Sequence, residues 1–430
     1  MSHAFLRCSR EPAPKWIALV FSFSLLCTAS VLAQDAVRPS LAGEAAADAR
    51  RQDVDRIPYN LLLGPIRFRV SATVGVEYND NINYADVNTQ DDVIIRPNLT
   101  LDAIWPITQL NTLRLDLGIG YAFYLDHSEN DTRAILIAPN SQIAFDIFVG
   151  DFRINIHDRM SIQQDPIAEP ALSNVANYAR FENTGGVSVL WDLNQALVDV
   201  GYDHYNFVSL TNQFDYLDRN ADILFGSVDF LLTPTIGIGP EGTAVFTNYD
   251  QHVLNDNKDY SVGGFIEAQI TNNLKVRVAG GWQWIDFDNG PVNFFGLLFP
   301  DDKRASDFYA NILIGHRINA MIRQTLAAGH ETQLGVNSNY ITLNYVRHTL
   351  TLNLIRGTLL STEFFFENAE ESGGIINETF DRFGGAIALG YQLTPHVTLG
   401  LRYQYTSKDS DVPLRDYDQN RVSLDGTYSF

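Results

Sequence analysis

The sequence predicts an all-β fold, a transmembrane antiparallel up-and-down β-barrel of 16 to 18 strands. First, segments in which apolar and polar side chains alternate recur along most of the chain, and a transmembrane strand needs only about ten such residues. Second, the connections between these segments sort into short and long sets, as the two ends of such a barrel require. Third, the composition, with 19 Tyr, 26 Phe and 5 Trp but only 3 Met, favours strands over helices.

Residues 1–33 have the layout of a secretory signal peptide. Basic residues precede the apolar run 16–27, and the small residues that end at Ala33 predict cleavage after it. The run is shorter than the roughly 20 residues that a spanning helix needs. A lipoprotein modified at Cys27 is the weaker alternative, because Leu26 stands where a lipobox has a small residue.

Charge and cysteine content exclude several classes of function. The chain carries 30 Lys and Arg against 51 Asp and Glu, a net charge of −21, which disfavours nucleic acid as a partner. The two cysteines, Cys8 and Cys27, both lie in the segment expected to be removed. We therefore expect neither a disulfide nor a thiolate metal site in the mature chain, and no cofactor.

Residues 34–65 are predicted to form a periplasmic N-terminal segment, in which the Ala-rich stretch 41–49 could form a short helix. The barrel is then expected to span residues 66–430. Eighteen strands are predicted, at 66–79, 93–105, 110–125, 135–148, 152–162, 178–191, 196–208, 220–232, 235–248, 259–270, 274–287, 306–318, 321–334, 340–354, 358–368, 379–393, 397–406 and 417–430.

The connections predict which end of the barrel faces the periplasm. Short turns with Pro, Gly, Asn or Asp are expected there, at 105–107, 149–151, 192–195, 233–234, 271–273, 356–357 and 394–396. Long polar loops are expected at the other end, at 80–92, 126–134, 163–177, 209–219, 249–258, 288–305, 369–378 and 407–416. An even strand number then closes the sheet, so that no strand edge is left unpaired in lipid.

One predicted strand, 340–354, does not keep a single apolar face. Ile341, Leu343 and Tyr345 share one parity, whereas Val346 and the leucines that follow take the other. Either a β-bulge near Tyr345 resets the register or the strand is wrongly assigned there.

The last strand ends on an aromatic pair that resembles the carboxy-terminal pattern of Gram-negative outer-membrane β-barrel proteins. Phe430 is the last residue and Tyr428 stands two positions before it, the pattern that the barrel-assembly machinery recognises in that class. The motif VEYNDNI at 76–82 is similar to the start of the barrel in the β-barrel porin 2 family, outer-membrane proteins sometimes found with exopolysaccharide systems. The resemblance implies an outer-membrane location, contact with lipid and lipopolysaccharide, and a pore-like fold, and it brings no catalytic residues.

A barrel of this size encloses room for an aqueous channel, so a porin-like channel for small solutes is the leading hypothesis. Basic residues at inward positions could orient a solute or select anions. They are Arg69, Arg96, Arg114, Arg153, Lys275, Arg277, Arg402 and Arg421. The alternative is structural, because these residues could instead pair with inward carboxylates and only satisfy the wall. Those carboxylates are Glu77, Asp102, Asp116, Glu267 and Asp425.

Other functions stay open at this level. One is a conduit for an exported polysaccharide, with partners from an export system, and another is a non-conducting structural or adhesive barrel. An enzyme is disfavoured, because the chain has no G-x-S-x-G and His330-Glu331 lacks the second His of H-E-x-x-H. Loop carboxylates could bind Ca²⁺ or Mg²⁺, although solvated loop charge is the simpler explanation. They include Asp91, Asp92, Asp301, Asp302, Asp409 and Asp411.

Overall fold

The structure, a computed structural model, describes residues 59–108, 111–354 and 357–430. The predicted signal peptide, the predicted helix at 41–49 and most of the predicted periplasmic segment lie outside these residues. No helix within the described ranges is long and apolar enough to cross a membrane.

Eighteen strands form one closed antiparallel β-barrel, as predicted. We call the end with the long loops the outer end and the end with the short turns the inner end. Numbered in chain order, the strands β1 to β18 are Ile66–Asn79, Asp92–Pro106, Thr112–Gly120 continued by Phe123–Tyr124, Leu136–Val149, Phe152–Gln163, Arg180–Asp192, Ala196–Ser209, Arg219–Thr233, Ile236–Tyr249, Asn257–Thr271, Leu274–Phe287, Arg304–Arg317, Ile322–Leu334, Tyr340–Asn353, Thr358–Glu371, Thr379–Thr394, Val397–Ser410 and Tyr417–Ser429.

The barrel closes where β1 pairs with β18. Their ladder runs from Ser71 opposite Ser429 to Asn79 opposite Arg421. This closure gives every one of the described barrel strands two neighbours, which matters in lipid because an unpaired backbone group there costs several kcal/mol.

The chain enters the barrel at the same seam. Leu61–Leu63 forms a short strand that pairs with residues 66–68 of β1. It occupies the same edge of β1 that β18 pairs with from Ser71 onward. The side chain of Asn60 exchanges two hydrogen bonds with the backbone of Val70, at 2.7 and 3.0 Å. The backbone N–H of Phe430 donates to the carbonyl of the same Val70. The short strand therefore continues the sheet below the terminal residue.

The two faces of the strands differ in exposure as the alternating pattern predicts. In β11, Trp282 and Trp284 are 43% and 42% exposed on the outer face, whereas Gln283 between them is 7% exposed. An outer face of exposed apolar and aromatic side chains suits contact with lipid.

Strand positions agree with the prediction, but irregularities within them do not follow from the pattern. The predicted strand 110–125 is interrupted between its two observed segments. The register shifts between Asp116 and Ile119 in the β3–β4 ladder, and between Ile137 and Ser141 in the β4–β5 ladder. A β-bulge shifts the apolar parity of a strand, but so does a change in what packs on its faces, so alternation alone does not locate a bulge.

Both alternatives for 340–354, a bulge near Tyr345 or a wrongly assigned strand, are wrong, because β14 spans Tyr340–Asn353. β14 keeps a continuous register with both of its neighbours. Ile341, Leu343 and Tyr345 are buried and face the barrel interior, whereas Val346 is exposed on the outer face. The apolar parity changes along β14 because its outer half packs inward on a core that loops build.

This core, the loop core, lies inside the outer half of the barrel. Its members from the outer connections are Ala171, Leu172, Val175, Tyr178, Phe214, Leu217, Leu254, Val292 and Val336. They pack against inward side chains of the strands, among them Phe207 and Ile223. The turn at 335–339, which the sequence did not identify as a loop, lies in this core, and Ser338 in it is fully buried.

Candidate channel interior

Most of the basic residues proposed to line a lumen form ion pairs with carboxylates. Within the described residues, seven of the eight do so. The pairs are Arg69–Asp102, Arg96–Glu77, Arg153–Asp146, Lys275–Glu267, Arg277–Glu241, Arg402–Glu363 and Arg421–Asp165. For the eighth, Arg114, the buried Nε has no hydrogen-bond partner in the part of the chain that the structure describes.

The carboxylates in these pairs are only partly the ones proposed from sequence. Glu77, Asp102 and Glu267 pair as the structural alternative requires. Asp116 instead accepts a hydrogen bond from Gln142 at 3.2 Å. The pairing lowers the free positive charge on the wall, so an effect of these residues on solutes depends on how exposed each pair is.

The loop that joins β5 to β6 crosses the barrel interior, and we call residues 164–179 the crossing loop. A short 3-10 helix, Pro166–Ala168, begins it, and the Asp165 side chain caps this helix by accepting from the Ile167 N–H at 3.0 Å. Arg382 of β16 donates to the Ile167 carbonyl at 2.8 Å. Ser173 donates to the Arg415 carbonyl at 2.8 Å. The crossing loop is therefore held by the far strands of the sheet and not only by its own neighbours.

One anchor of the crossing loop is a cluster of three polar side chains. Asp165 accepts from Tyr84 at 2.6 Å and from Arg421 at 2.7 Å, and Arg421 also donates to the Tyr84 hydroxyl. Burial alone would raise the pKa of Asp165, but Arg421 and Arg96 hold it well below its usual range. Tyr84 adopts a φ of 50°, a left-handed conformation that a tyrosine rarely takes. The cluster thus holds the β1–β2 loop and the crossing loop on β18.

A second anchor is a buried ion network at the outer end. Lys408 lies 2.8 Å from Glu378, and both side chains are fully buried. Arg415 lies 2.9 Å from the other oxygen of Glu378. Lys408 also donates to Ser173 of the crossing loop at 3.2 Å and lies 4.1 Å from the centre of the Phe380 ring. Because both cations share one carboxylate, losing that carboxylate would leave them unpaired in a dry site.

Beside the crossing loop lies a cavity of about 100 Å³. Glu169 of the crossing loop lines it together with Arg180 and Arg219, the first residues of β6 and β8. The guanidinium of Arg180 lies 4.7 Å from the Tyr178 ring, and that of Arg219 lies 4.6 Å from the Phe207 ring. Guanidinium groups over aromatic rings form a surface that suits an anionic or planar solute.

This cavity has two carboxyl groups among its described lining residues, Glu182, which pairs with Arg180 at 2.8 Å, and Glu169. Burial raises the pKa of Glu169 to about 7, and the nearby Arg180, Arg219 and Arg382 only partly oppose that effect. The Glu169 carboxyl is therefore neutral below about pH 7 and adds a negative charge to the cavity above it.

Sequence reasoning missed the residues that shape this interior. It selected basic residues at other positions along the strands and not Arg180 and Arg219, which stand at the outer ends of theirs. The available signal was an arginine at the first position of a strand that follows a long loop. Asp165 carried none, because its partner Arg421 is 256 residues away in the chain.

Three of the six loop carboxylates proposed as cation ligands, Asp92, Asp301 and Asp411, accept hydrogen bonds from backbone N–H groups. Asp92 accepts from the N–H of Leu125 at 2.9 Å and of His127 at 2.8 Å. Asp301 accepts from the N–H of Asn339 at 2.8 Å. Among the described residues, no group of three or more His, Cys, Asp or Glu is placed to hold a metal ion.

Comparisons with known proteins concern the fold. No family model matches the chain, and no curated protein matches it. Similar solved structures include three from Pseudomonas aeruginosa. OccK2 (OpdF) in complex with glucuronate has a TM-score of 0.46 and 11% identity, over 84% of this chain and 98% of that one. OccK1 (OpdK) has 0.45 and 11%, over 84% and 99%, and OccD3 (OpdP) has 0.43 and 13%, over 86% and 92%. At these values the likeness carries no argument about function.

Proposed function

We propose that this chain is an outer-membrane channel that passes small hydrophilic solutes and favours anions. The observation that carries the proposal is the cavity beside the crossing loop, whose lining sets Arg180 and Arg219 against Glu169 and Glu182 in a chain of net charge −21. Glu182 pairs with Arg180 at 2.8 Å, so one positive charge is in excess while Glu169 is neutral, below about pH 7. A barrel of eighteen strands is wide enough for an aqueous lumen, and a loop that crosses it narrows the path. Charge at the narrowest point then controls which solutes pass.

The same proposal covers location and partners. An exposed apolar outer face requires lipid, and the aromatic end at Tyr428 and Phe430 fits recognition by the barrel-assembly machinery of Gram-negative bacteria. Outer loops that carry many carboxylates would meet lipopolysaccharide at the cell surface. Membership of the β-barrel porin 2 family, with its link to exopolysaccharide systems, stays a prediction from the motif at 76–82.

The test is solute uptake into vesicles that contain the refolded mature chain, residues 34–430. We expect vesicles to swell faster in a small carboxylate salt than in an amine salt of equal size. In the double variant Arg180→Ala/Arg219→Ala this difference should fall by about tenfold, because the cavity loses its two stacked guanidinium groups.

A matched control is Arg304→Ala, since Arg304 pairs with Asp286 at an exposed site outside the cavity. Its uptake should equal that of the unaltered chain. Uptake without any preference for anions would contradict the assigned selectivity. No uptake by a correctly folded barrel would contradict the channel and favour a structural barrel or a gated conduit for a polymer.

A further inference from the structure

The ladder between β12 and β13 stops before the strands do. The last pair is Ala310 opposite His330. β12 nevertheless extends outward to Arg304, and β13 extends to Leu334. Both strands stay paired with their other neighbours over these lengths, β12 with β11 and β13 with β14. The described part of the sheet is therefore split at its outer end between β12 and β13.

At the loop end of the barrel, the last residues of β13 lie on the lumen side of β12. Leu334 and Tyr340 pack against Ile285, Phe287 and Ala305, which are inward residues of β11 and β12. The rings of Phe287 and Tyr340 stack at 6.2 Å. The two strands thus overlap. We call the space between the lumen-facing side of β12 and the lipid-facing side of β13 the β12–β13 slit. Side chains close it, because the described residues 304–309 of β12 and 331–334 of β13 form no ladder with one another.

The mouth of the slit lies on the lipid-facing side. Phe308 is 47% exposed there and stacks on His330 at 4.1 Å. His330 reaches Asp307 at 3.1 Å across the split. Phe308 stands directly opposite Trp282 in the β11–β12 ladder, so the mouth is level with the exposed tryptophans of β11. Aromatic side chains at this level mark the boundary between the apolar layer and the head groups.

Behind the mouth lies a row of polar groups that is not fully satisfied, buried at Asp259, Gln283 and Thr332 and more open at Asp307, whose side chain is 38% exposed. Gln283 donates to Asp259 at 2.9 Å and to the Thr332 carbonyl at 3.2 Å, and Asp307 stands opposite Gln283 in the ladder. Asp259 is 7% exposed and Thr332 is 4% exposed. Within the described residues, one carboxylate oxygen of Asp259 and the hydroxyl of Thr332 have no hydrogen-bond partner. A buried carboxylate oxygen without a donor is costly, so this row suits a group that brings donors.

We propose that the β12–β13 slit is a lateral binding site for an amphiphile with an amine head group, taken from the outer leaflet. The head group enters beneath Phe308 and His330 and donates to Asp307 and Asp259. The apolar tail stays outside, along Phe308 and Trp282. Two carboxylates in the row favour a cationic head and disfavour a carboxylate one. The site does not depend on conduction through the lumen.

The test is photolabelling of the refolded mature chain in lipid nanodiscs. The probe is a dodecylamine derivative with a diazirine next to the amine. We expect label on the β12 and β13 peptides that contain Phe308 and Thr332. An excess of dodecylamine should remove it, whereas the same excess of dodecanoate should not, because the row offers no cation to a carboxylate.

The variant Asp259→Asn/Asp307→Asn should lower this labelling by about tenfold, because the head group loses both carboxyl acceptors. Its matched control is Asp286→Asn, a more exposed carboxylate on β11 that pairs with Arg304 outside the slit, and it should label like the unaltered chain. Label spread equally over the paired β10–β11 junction, equal competition by dodecanoate, or full labelling of the double variant would each overturn the site. Solute uptake, measured on the same samples, reports separately on the channel.

Discussion

The inner and outer halves of β14 show how two environments act on one strand. Between Val346 and the inner end of the strand, the apolar side chains point toward lipid. In the outer half, Ile341, Leu343 and Tyr345 face inward and are at most 5% exposed. Polar side chains line the interior of the inner half, whereas the loop core packs inside the outer half and contacts β14 there. Apolar side chains follow whichever apolar phase is next to them, lipid in one half and folded loops in the other.

Ion pairs differ in the same way between two places in the barrel. Arg402 and Glu363 are each about one-third exposed, whereas Lys408 and Glu378 at the outer end are fully buried. An exposed pair is worth roughly 0–1 kcal/mol, but breaking a buried pair from one side costs about 3–5 kcal/mol. The dry outer network is therefore where single substitutions should act most strongly.

Glu378→Ala should give the largest effect. It leaves Lys408 and Arg415 without their shared carboxylate, so we expect a loss of about 3–5 kcal/mol in the free energy of unfolding. The matched substitution Glu363→Ala should cost at most about 1 kcal/mol. Urea unfolding in lipid vesicles, followed by tryptophan fluorescence, measures both. Equal losses in the two variants would show that the outer network is not a dry site.

Leu343→Ala tests the inward parity of the outer half of β14. Removing a side chain that is 1% exposed leaves a cavity in the loop core, which should cost about 2–5 kcal/mol. Val346→Ala on the lipid face removes two methyl groups from a flexible lipid surface and should cost about 1 kcal/mol. The same urea unfolding compares them. A larger loss for Val346→Ala would mean that Leu343 does not face a packed interior.

Asp165→Asn should loosen the crossing loop with a smaller loss of stability. The substitution weakens the charged hydrogen bonds from Arg421, which should cost about 1–3 kcal/mol. We expect faster amide exchange in residues 164–179, measured by mass spectrometry. Asp102→Asn is the control, since its partner Arg69 is mostly exposed. Unchanged amide exchange in the crossing loop would contradict the role of Asp165 as its anchor.

The smallest expected effect is a pH step at Glu169. Its pKa in the folded chain is raised to about 7, above its ordinary value, so the folded state binds an extra proton between the two values. Stability contributed by this group therefore falls as pH rises toward 7, and the new negative charge should weaken the preference for anions. Reversal potentials between pH 5 and 9 measure the step. In Glu169→Gln the step should vanish, and a step that persists would assign it to another group.

The sequence predicted the wall of the barrel far better than its interior. Lipid on one side and polar groups on the other impose a period of two on every strand, and this period is visible without a structure. The change of parity at Tyr345 was visible too, but a bulge and a loop core leave the same trace in the sequence. The turn at 335–339 has one apolar residue, Val336, among glycine and polar residues, so its composition gives little indication of burial. The contact between Asp165 and Arg421 depends on the path of a loop across the barrel, which periodicity does not encode.

Single-channel recording of the refolded mature chain in a planar bilayer under a salt gradient tests the central claim most directly. We expect steady conductance with a reversal potential of the sign that anion preference gives, in spite of the acidic loops. A reversal potential of the opposite sign would mean that loop carboxylates and not the cavity arginines control passage. A folded barrel that carries no current would contradict the channel itself.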